Sequence, residues 1–183
     1  MRAAGARWLL SLAAMFAAAP AAAQSSPDPV NNPTIDYDAP ERERIDAQLP
    51  HPMPAIPATS ALREFQAGAT SPNTFGVDPA SLNVRGKRIV QFTLVVTSPR
   101  GLRNIGYEAL DCERGQVRLL ATGRDGGGWS PVGAGSWRPV RNGDTVNGHY
   151  RELYRSWCDG GKLAGAPREL LRRLDAVPQR YLN

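Results

Sequence analysis

The chain has few of the residues from which catalytic sites are usually built. Its 183 residues include only two histidines and two cysteines. The sequence contains no Cys-x-x-Cys pair, no Gly-x-Ser-x-Gly elbow and no complete phosphate-binding loop. The separations of its cysteines and histidines match no standard zinc motif. These absences argue against a redox enzyme, an α/β hydrolase, a P-loop enzyme and a zinc protein. We therefore expect no cofactor and no metal, and predict that the protein is not an enzyme.

Long apolar runs are also scarce, and the clearest one lies at the N-terminus. Arg2 and Arg7 give a positive start, Trp8–Ala19 carries no charge, and small residues follow. This order is typical of a secretory signal. An uncleaved membrane anchor is the alternative, but the run is shorter than the ~20 residues that a spanning helix needs. Residues 1–23 are therefore predicted to be a signal peptide, cleaved near Ala23-Gln24. The mature chain is then periplasmic or secreted and has no transmembrane segment.

The next stretch is rich in proline and acidic residues. Eight of the 16 prolines lie between Gln24 and Pro57, together with six acidic residues and two arginines. Such a stretch has little to bury and cannot form a helix or a central strand. Residues 24–57 are predicted to be an extended or disordered acidic leader, and residues 58–183 a single domain with one core. Whether the leader folds back on this domain stays open.

The predicted domain is basic, and its basic residues are almost all arginine. Residues 58–183 carry 18 basic and 11 acidic side chains, and Lys87 and Lys162 are the only lysines. Guanidinium groups bind phosphate and carboxylate in a bidentate way. For an exported protein this indicates an envelope partner, such as an anionic glycolipid, the cell wall or a protein, rather than nucleic acid. A plain solvated surface is the alternative, and the oligomeric state stays open.

Alternating apolar residues predict an antiparallel meander. Ile89–Thr97 alternates with period two, and its polar side predicts a half-buried strand. Asn104–Cys112 and Gln116–Thr122 follow after short turns, the latter with Val117, Leu119 and Ala121 predicted to point inward. A further short strand is predicted at residues 137–140.

Helical periodicity appears only toward the C-terminus. His149–Cys158 carries an apolar stripe of Tyr150, Leu153, Tyr154 and Trp157, which predicts a helix. Pro167 suits the first position of a second helix that ends near Leu174, and a short helical turn is predicted at Thr59–Phe65. The predicted class is α+β, with about four to five antiparallel strands packed by one or two C-terminal helices.

The two cysteines are predicted to form a disulfide. In an oxidising compartment, an even number of cysteines favours a bridge between Cys112 and Cys158. Cys158 ends the helical stripe that faces the sheet, where Cys112 lies on a strand. Closing a loop of this length is worth roughly 4 kcal/mol in the chain-entropy model. A redox pair and a catalytic thiol remain as alternatives.

Three candidate sites follow from the side chains. Arg124, Trp129, Trp137 and Arg138 could form a recognition patch around a glycine-rich loop. The Trp129 loop could also dock a protein partner, as in an inhibitor or an assembly factor. A cell-wall or small-molecule hydrolase that uses His149 with Cys158 or Asp159 is the enzymatic alternative.

Several segments together resemble the CNP-like family, whose name is short for cryptic neisserial protein. They are Phe75–Leu82, Gln91–Ser98, Asn104–Cys112, Arg118–Gly123, Trp129, Trp137 and the helix with Tyr150, Leu153 and Cys158. The resemblance covers about residues 50–175. It implies a small exported or envelope-attached proteobacterial protein, and it brings no catalytic residue with it. Some relatives resemble lipoproteins, but this chain has no cysteine at the predicted cleavage site.

Overall fold

The computed structural model describes residues 47–67, 71–133, 135–142 and 147–175. The predicted signal peptide and the leader up to residue 46 lie outside these residues. The strands of the main sheet are β1 (Arg63–Phe65), β2 (Thr74–Val77), β3 (Asn83–Arg85), β4 (Ile89–Thr97), β5 (Arg103–Asp111), β6 (Gln116–Gly123), β7 (Trp129–Pro131) and β8 (Arg138–Pro139). Helices α1 (Gly148–Trp157) and α2 (Pro167–Asp175) flank a small hairpin, β9 (Cys158–Asp159) and β10 (Lys162–Leu163).

The centre of the sheet is the predicted meander of β4, β5 and β6. All neighbouring strands are antiparallel, with Ile89 opposite Asp111 and Thr97 opposite Arg103 at the two ends of the β4–β5 pair. Strands β2 and β3 pair with successive halves of β4, and β7 and β8 do the same along β6. Gly101 (φ 78°) and Gly115 (φ 60°) lie in the two connecting turns, where a residue without Cβ adopts the left-handed conformation at no steric cost.

One face of the sheet, the helix face, packs against α1 and α2. Alternate residues of β4, including Phe92, lie on this face, and the indole of Trp157 meets the Phe92 ring edge-on at 4.9 Å between centroids. The Trp157 Nε1–H also donates to the carbonyl of Leu170 in α2 at 3.0 Å. The buried apolar residues of the two helices are Tyr150, Leu153, Trp157, Leu170 and Leu174. The predicted helical stripe is thus confirmed, and the α+β class with it.

The opposite face, which we call the proline face, is covered as well. Gln91 and Thr93 lie on this side of β4, and both are fully buried. The prediction of a half-buried β4 with one polar face is therefore wrong. Burial is tolerated at Gln91 because its amide donates to the carbonyl of Gln48 at 2.9 Å and accepts from Asn83 at 3.1 Å.

Residues 47–57, the proline segment, provide much of this cover. Ala47, Leu49 and Met53 pack against a cluster formed by Ile89, Tyr107, Ala109, Leu120 and Ala121. The prediction that the leader up to residue 57 has little to bury needs correction for this part. Spaced apolar side chains, together with hydrogen bonds from Gln91, Arg103 and Trp129 to backbone carbonyls, hold this proline-rich stretch on the sheet. Proline permits this because it excludes only regular hydrogen-bonded structure.

A β-bulge moves β6 from one face to the other. Tyr107 pairs with Ala121, but Glu108 pairs with Leu119, so Leu120 is the extra residue. As a result Val117 belongs to the helix face and Ala121 to the proline face. The prediction that Val117, Leu119 and Ala121 share one inward face is wrong, because strict alternation fails at the bulge.

Two further local predictions change. Thr59–Ala61 forms a single 3₁₀ turn and Arg63–Phe65 pairs with β2 as a strand, so the predicted helical turn over residues 59–65 is wrong beyond its first residues. Among the described residues the sheet has eight strands, more than the predicted four to five, because several strands are only two to four residues long.

The predicted disulfide is present. Cys112 Sγ and Cys158 Sγ are bonded, with the two Cα atoms 5.3 Å apart. The bridge ties the residue after β5 to the end of α1. Within the described ranges no helix has the length and apolar character needed to cross a membrane.

Candidate functional site

A buried carboxyl group lies in the middle of the helix face. Glu108 pairs with Phe92 across β4 and β5, which puts its side chain among apolar neighbours, and it is 6% exposed. Room for the carboxyl comes from Gly106 on the same face, where a Cβ atom would stand 2.8 Å from Glu108 Oε1. Burial raises the pKa of Glu108 to about 7, against the opposing effects of the Tyr150 hydroxyl and the Arg138 charge.

Tyr150 connects this carboxyl group to an arginine. Its hydroxyl donates to Glu108 Oε1 at 3.1 Å and accepts from Arg138 Nη2 at 3.4 Å. The Arg138 guanidinium carbon also lies 5.6 Å from the centre of the Tyr150 ring, within cation–π range. Burial, followed by the nearby Glu108 charge, holds the pKa of Tyr150 well above its usual value. Glu108 Oε2 is buried and has no hydrogen-bond partner among the described residues.

A cavity of about 280 Å³ opens beside this chain of contacts. Its lining residues are Val117, Arg138, Pro139, Val140, Arg141, Asn147 and Tyr150. Arg138 and Arg141 are exposed, so two guanidinium groups border a space partly walled by apolar side chains. Guanidinium groups present paired N–H donors that fit the oxygens of a phosphate or a carboxylate. The arrangement is therefore suited to holding a small anionic group.

The residues of the hydrolase alternative are not brought together. His149 is buried, its ring stacks on Phe75 at 4.9 Å, and it lies 4.0 Å from the Tyr150 ring between centroids. Cys158 follows nine residues later, a separation of about 13 Å along a helix. The Cys158 sulfur is also committed to the disulfide, and Asp159 lies in β9 beyond it. The structure thus places His149 in an aromatic cluster at the start of α1.

The predicted patch of Arg124, Trp129, Trp137 and Arg138 is divided between the two faces. Trp129 and Trp137 both pack on the cluster of the proline face, whereas Arg138 contacts Tyr150 on the helix face. Arg124 is exposed in the loop after β6. Trp129 meets Tyr107 edge-on at 5.9 Å, and its Nε1–H donates to the carbonyl of Pro54 at 2.7 Å. Among the four predicted residues, Arg138 alone lines the cavity.

Sequence reasoning missed Glu108 and Arg141. A signal for Glu108 was available, because strict alternation puts it on the same side of its strand as Leu110 and Cys112. A carboxyl group on an apolar face needs a partner. Arg141 offered no such signal, because its position beside the cavity depends on how the chain after β8 approaches α1.

Among the comparisons with known proteins, the match is to a family model. Neither a curated protein nor a solved structure matches the chain. The model of the CNP1-like family matches residues 43–175, which include all ten strands and both helices described above. The cavity, the disulfide and the proline segment all lie within these residues. The chain therefore belongs to the CNP1-like family.

Proposed function

We propose that this protein is an exported, non-catalytic binding module of the cell envelope that holds an anionic group in the cavity between Arg138 and Arg141. The shared chemistry is that of a phosphate or a carboxylate, as carried by anionic glycolipids, lipid headgroups and the cell wall. The N-terminal pattern of residues 1–23 and the Cys112–Cys158 bridge support export to an oxidising compartment.

The observation that carries the proposal is the pair of guanidinium groups at the cavity. Arg138 is oriented by the Tyr150 hydroxyl and ring, so less side-chain freedom is lost when it binds a ligand. Arg141 lies on the same lining and doubles the positive charge. Val117, Pro139 and Val140 complete the wall, and low-polarity surroundings strengthen a charged contact.

The charge of Glu108 is expected to make the affinity for an anion depend on pH. Its carboxyl group contacts Tyr150, which also contacts Arg138, so a charged Glu108 opposes an incoming anion. Since its pKa is raised to about 7, protonation removes this opposition as the pH falls through neutrality. The affinity for an anion is therefore expected to rise between pH 8 and pH 6. Among the described residues that line the cavity, the charged groups are Arg138 and Arg141.

Titration calorimetry tests the proposal. Sulfate serves as the probe because its own charge does not change between pH 6 and pH 8, and acetate tests the carboxylate arm. Vesicles with and without phosphatidylglycerol test whether a lipid headgroup is the source of the anion. Replacing either Arg138 or Arg141 with Gln is expected to reduce sulfate affinity at least tenfold, and Glu108→Gln is expected to abolish the pH dependence.

Arg124→Gln is the matched control, because it removes the same charge from an exposed loop away from the cavity. We expect it to change the affinity by less than twofold. Equal losses from Arg124→Gln and from the cavity variants would contradict a defined site, since diffuse surface charge would then explain the binding. Absence of sulfate and acetate binding to the wild-type protein at low salt would also contradict the proposal.

A further inference from the structure

The lining of the anion cavity is apolar on its inner side. Val117 is 2% exposed and Tyr150 is 8% exposed, and Val140 packs against the apolar core of the helix face. We call these three residues the floor of the cavity. Arg138 and Arg141 are exposed on the same lining, and we call them its mouth. A molecule that fills the cavity therefore extends from a cationic entrance to an apolar interior.

Strand pairing explains why an arginine borders this apolar floor. Arg138 in β8 lies opposite Val117 in β6. The same row continues across the sheet through Leu110 and Val90, which are fully buried. Opposite residues of an antiparallel pair point to the same face of the sheet. Arg138 thus ends a row of apolar side chains, where its aliphatic stem can cover apolar surface while its charged head reaches solvent.

Val140 is held at the same end of the sheet. Its amide donates to the carbonyl of Gly115 at 2.8 Å, so the chain after β8 continues beside the turn between β5 and β6. Val140 comes two residues after Arg138, and residues two apart in an extended chain share a face. Val140 therefore lies next to Arg138 on the helix face, in agreement with its packing on the apolar core.

The charges around the cavity determine how an amphiphilic ligand would be oriented. The Glu108 carboxyl group contacts the Tyr150 hydroxyl at 3.1 Å, and Glu108 itself does not line the cavity. An anionic head placed against the floor would lose its water, gain no counter-charge and face this second acidic group. At the mouth, the head keeps contact with water and meets two guanidinium groups. The head therefore belongs at the mouth, and the apolar part on the floor.

The size of the cavity limits the apolar part. Its volume is about 280 Å³, and a water-sized group occupies about 30 Å³ of liquid. The cavity thus has room for roughly nine such groups, which corresponds to a chain of about six to eight carbons. A bilayer lipid carries two much longer chains, which exceed this volume.

We propose that the cavity binds single-chain amphiphilic anions, with the anionic head between Arg138 and Arg141 and a short apolar chain on the floor. This inference rests on the proposed anion site and adds the class of molecule that carries the anion. Medium-chain carboxylates and alkyl phosphates belong to this class, whereas phospholipids of a bilayer do not.

A series of straight-chain carboxylates tests the proposal. Acetate, butanoate, hexanoate and octanoate are titrated calorimetrically into the mature protein at one pH, below the concentrations at which they form micelles. The head stays the same along the series while the chain grows. Complete burial of one methylene group is worth about fourfold in affinity, so hexanoate is expected to bind at least about tenfold more tightly than acetate. The gain should cease beyond octanoate, because the floor is then covered.

The series separates this inference from the function on which it rests. Binding of acetate with no gain along the series would overturn the amphiphile inference, while the anion site would stand. Failure of acetate and sulfate to bind would contradict the anion site itself.

An uncharged ligand tests the contribution of the head. 1-Hexanol carries the same length of chain without a charge, and we expect it to bind at least about tenfold more weakly than hexanoate, because it lacks the ionic contacts at the mouth. Arg138→Gln is expected to weaken hexanoate binding for the same reason. Equal affinities for hexanol and hexanoate would overturn the proposal, since an apolar cavity without anion recognition would then explain the binding.

A substitution in the floor tests the contribution of the chain. Val140→Thr adds a hydroxyl group with little change in shape, and it is expected to lower the ratio of hexanoate to acetate affinity by about threefold. Val132→Thr is the matched control, because Val132 is also half-buried but lies outside the lining. This control is expected to leave the ratio unchanged. An equal change with both substitutions, or with neither, would contradict binding of the chain on the floor.

Discussion

At the residue scale, Glu108 is the most consequential side chain of the helix face. Its carboxyl group lies over Gly106, contacts the Tyr150 hydroxyl at 3.1 Å and is shielded from water. The folded chain therefore holds the Glu108 proton more tightly than the unfolded chain, in which the pKa returns to about 4.5. A group with a raised acidic pKa destabilises the folded state once it is charged.

The stability of the wild-type protein is accordingly expected to depend on this group between pH 4.5 and about pH 7. Glu108→Gln keeps the shape and an acceptor for Tyr150 but removes the charge. At pH 8 the variant is expected to be more stable than the wild-type protein by up to roughly 3 kcal/mol, and this difference should vanish near pH 4. Urea unfolding at both pH values measures it, with Glu64→Gln in β1 as the exposed-site control. A difference of the same size at both pH values would contradict a titrating Glu108.

At the element scale, α1 joins the sheet, the disulfide and the cavity. Trp157 is fully buried and contacts both Phe92 in β4 and Leu170 in α2. Cys158 then fixes the end of α1 to the end of β5. The opposite end of the helix carries Tyr150, which lines the cavity. The same ten residues thus complete the core and orient the site.

Removal of the disulfide is expected to weaken this arrangement without changing the fold. Replacing Cys112 and Cys158 with Ala should lower the free energy of unfolding by about 4 kcal/mol, since a loop of 46 residues is no longer closed in the unfolded chain. Urea unfolding measures the change, and reduced wild-type protein provides the comparison without a substitution. A loss below 1 kcal/mol in both cases would contradict a major stabilising role for the bridge.

An element could be predicted from the sequence when the interactions that define it join residues close together in the chain. Strand β4 and helix α1 each carry a periodic pattern in their own residues, and Cys158 at the end of that pattern indicated its partner. The bulge at Leu120 and the burial of Gln91 depend on neighbours far along the chain, so no local pattern reveals them. The site was predictable only at Arg138, because the pairing of Glu108 with Tyr150 requires β5 and α1 to be placed first.

At the scale of the whole molecule, the charge is divided between two regions that are both predicted to be exported. An acidic leader precedes a basic domain, and both are expected to be exposed to the envelope after cleavage of residues 1–23. The cavity with Arg138 and Arg141 concentrates part of the positive charge at one place on the helix face.

Cell fractionation checks the export prediction. Full-length protein expressed in a proteobacterial host is expected in the periplasmic or secreted fraction, with Gln24 as its first residue by N-terminal sequencing. A matched chain with Arg2 and Arg7 replaced by Glu should remain in the cytoplasm, because the positive start of the signal is lost. Recovery of the unaltered protein in the cytoplasm with Met1 intact would contradict export.

The covering of the sheet on both faces also determines what another molecule can reach. With helices on one side and the proline segment on the other, the centres of β4 and β5 are remote from solvent in every direction. A binding partner would therefore contact the rim of the domain, where loops, strand edges and helix ends are exposed. The cavity beside β8 and the start of α1 lies on this rim, so the buried centre of the sheet supports the proposed anion site at its border.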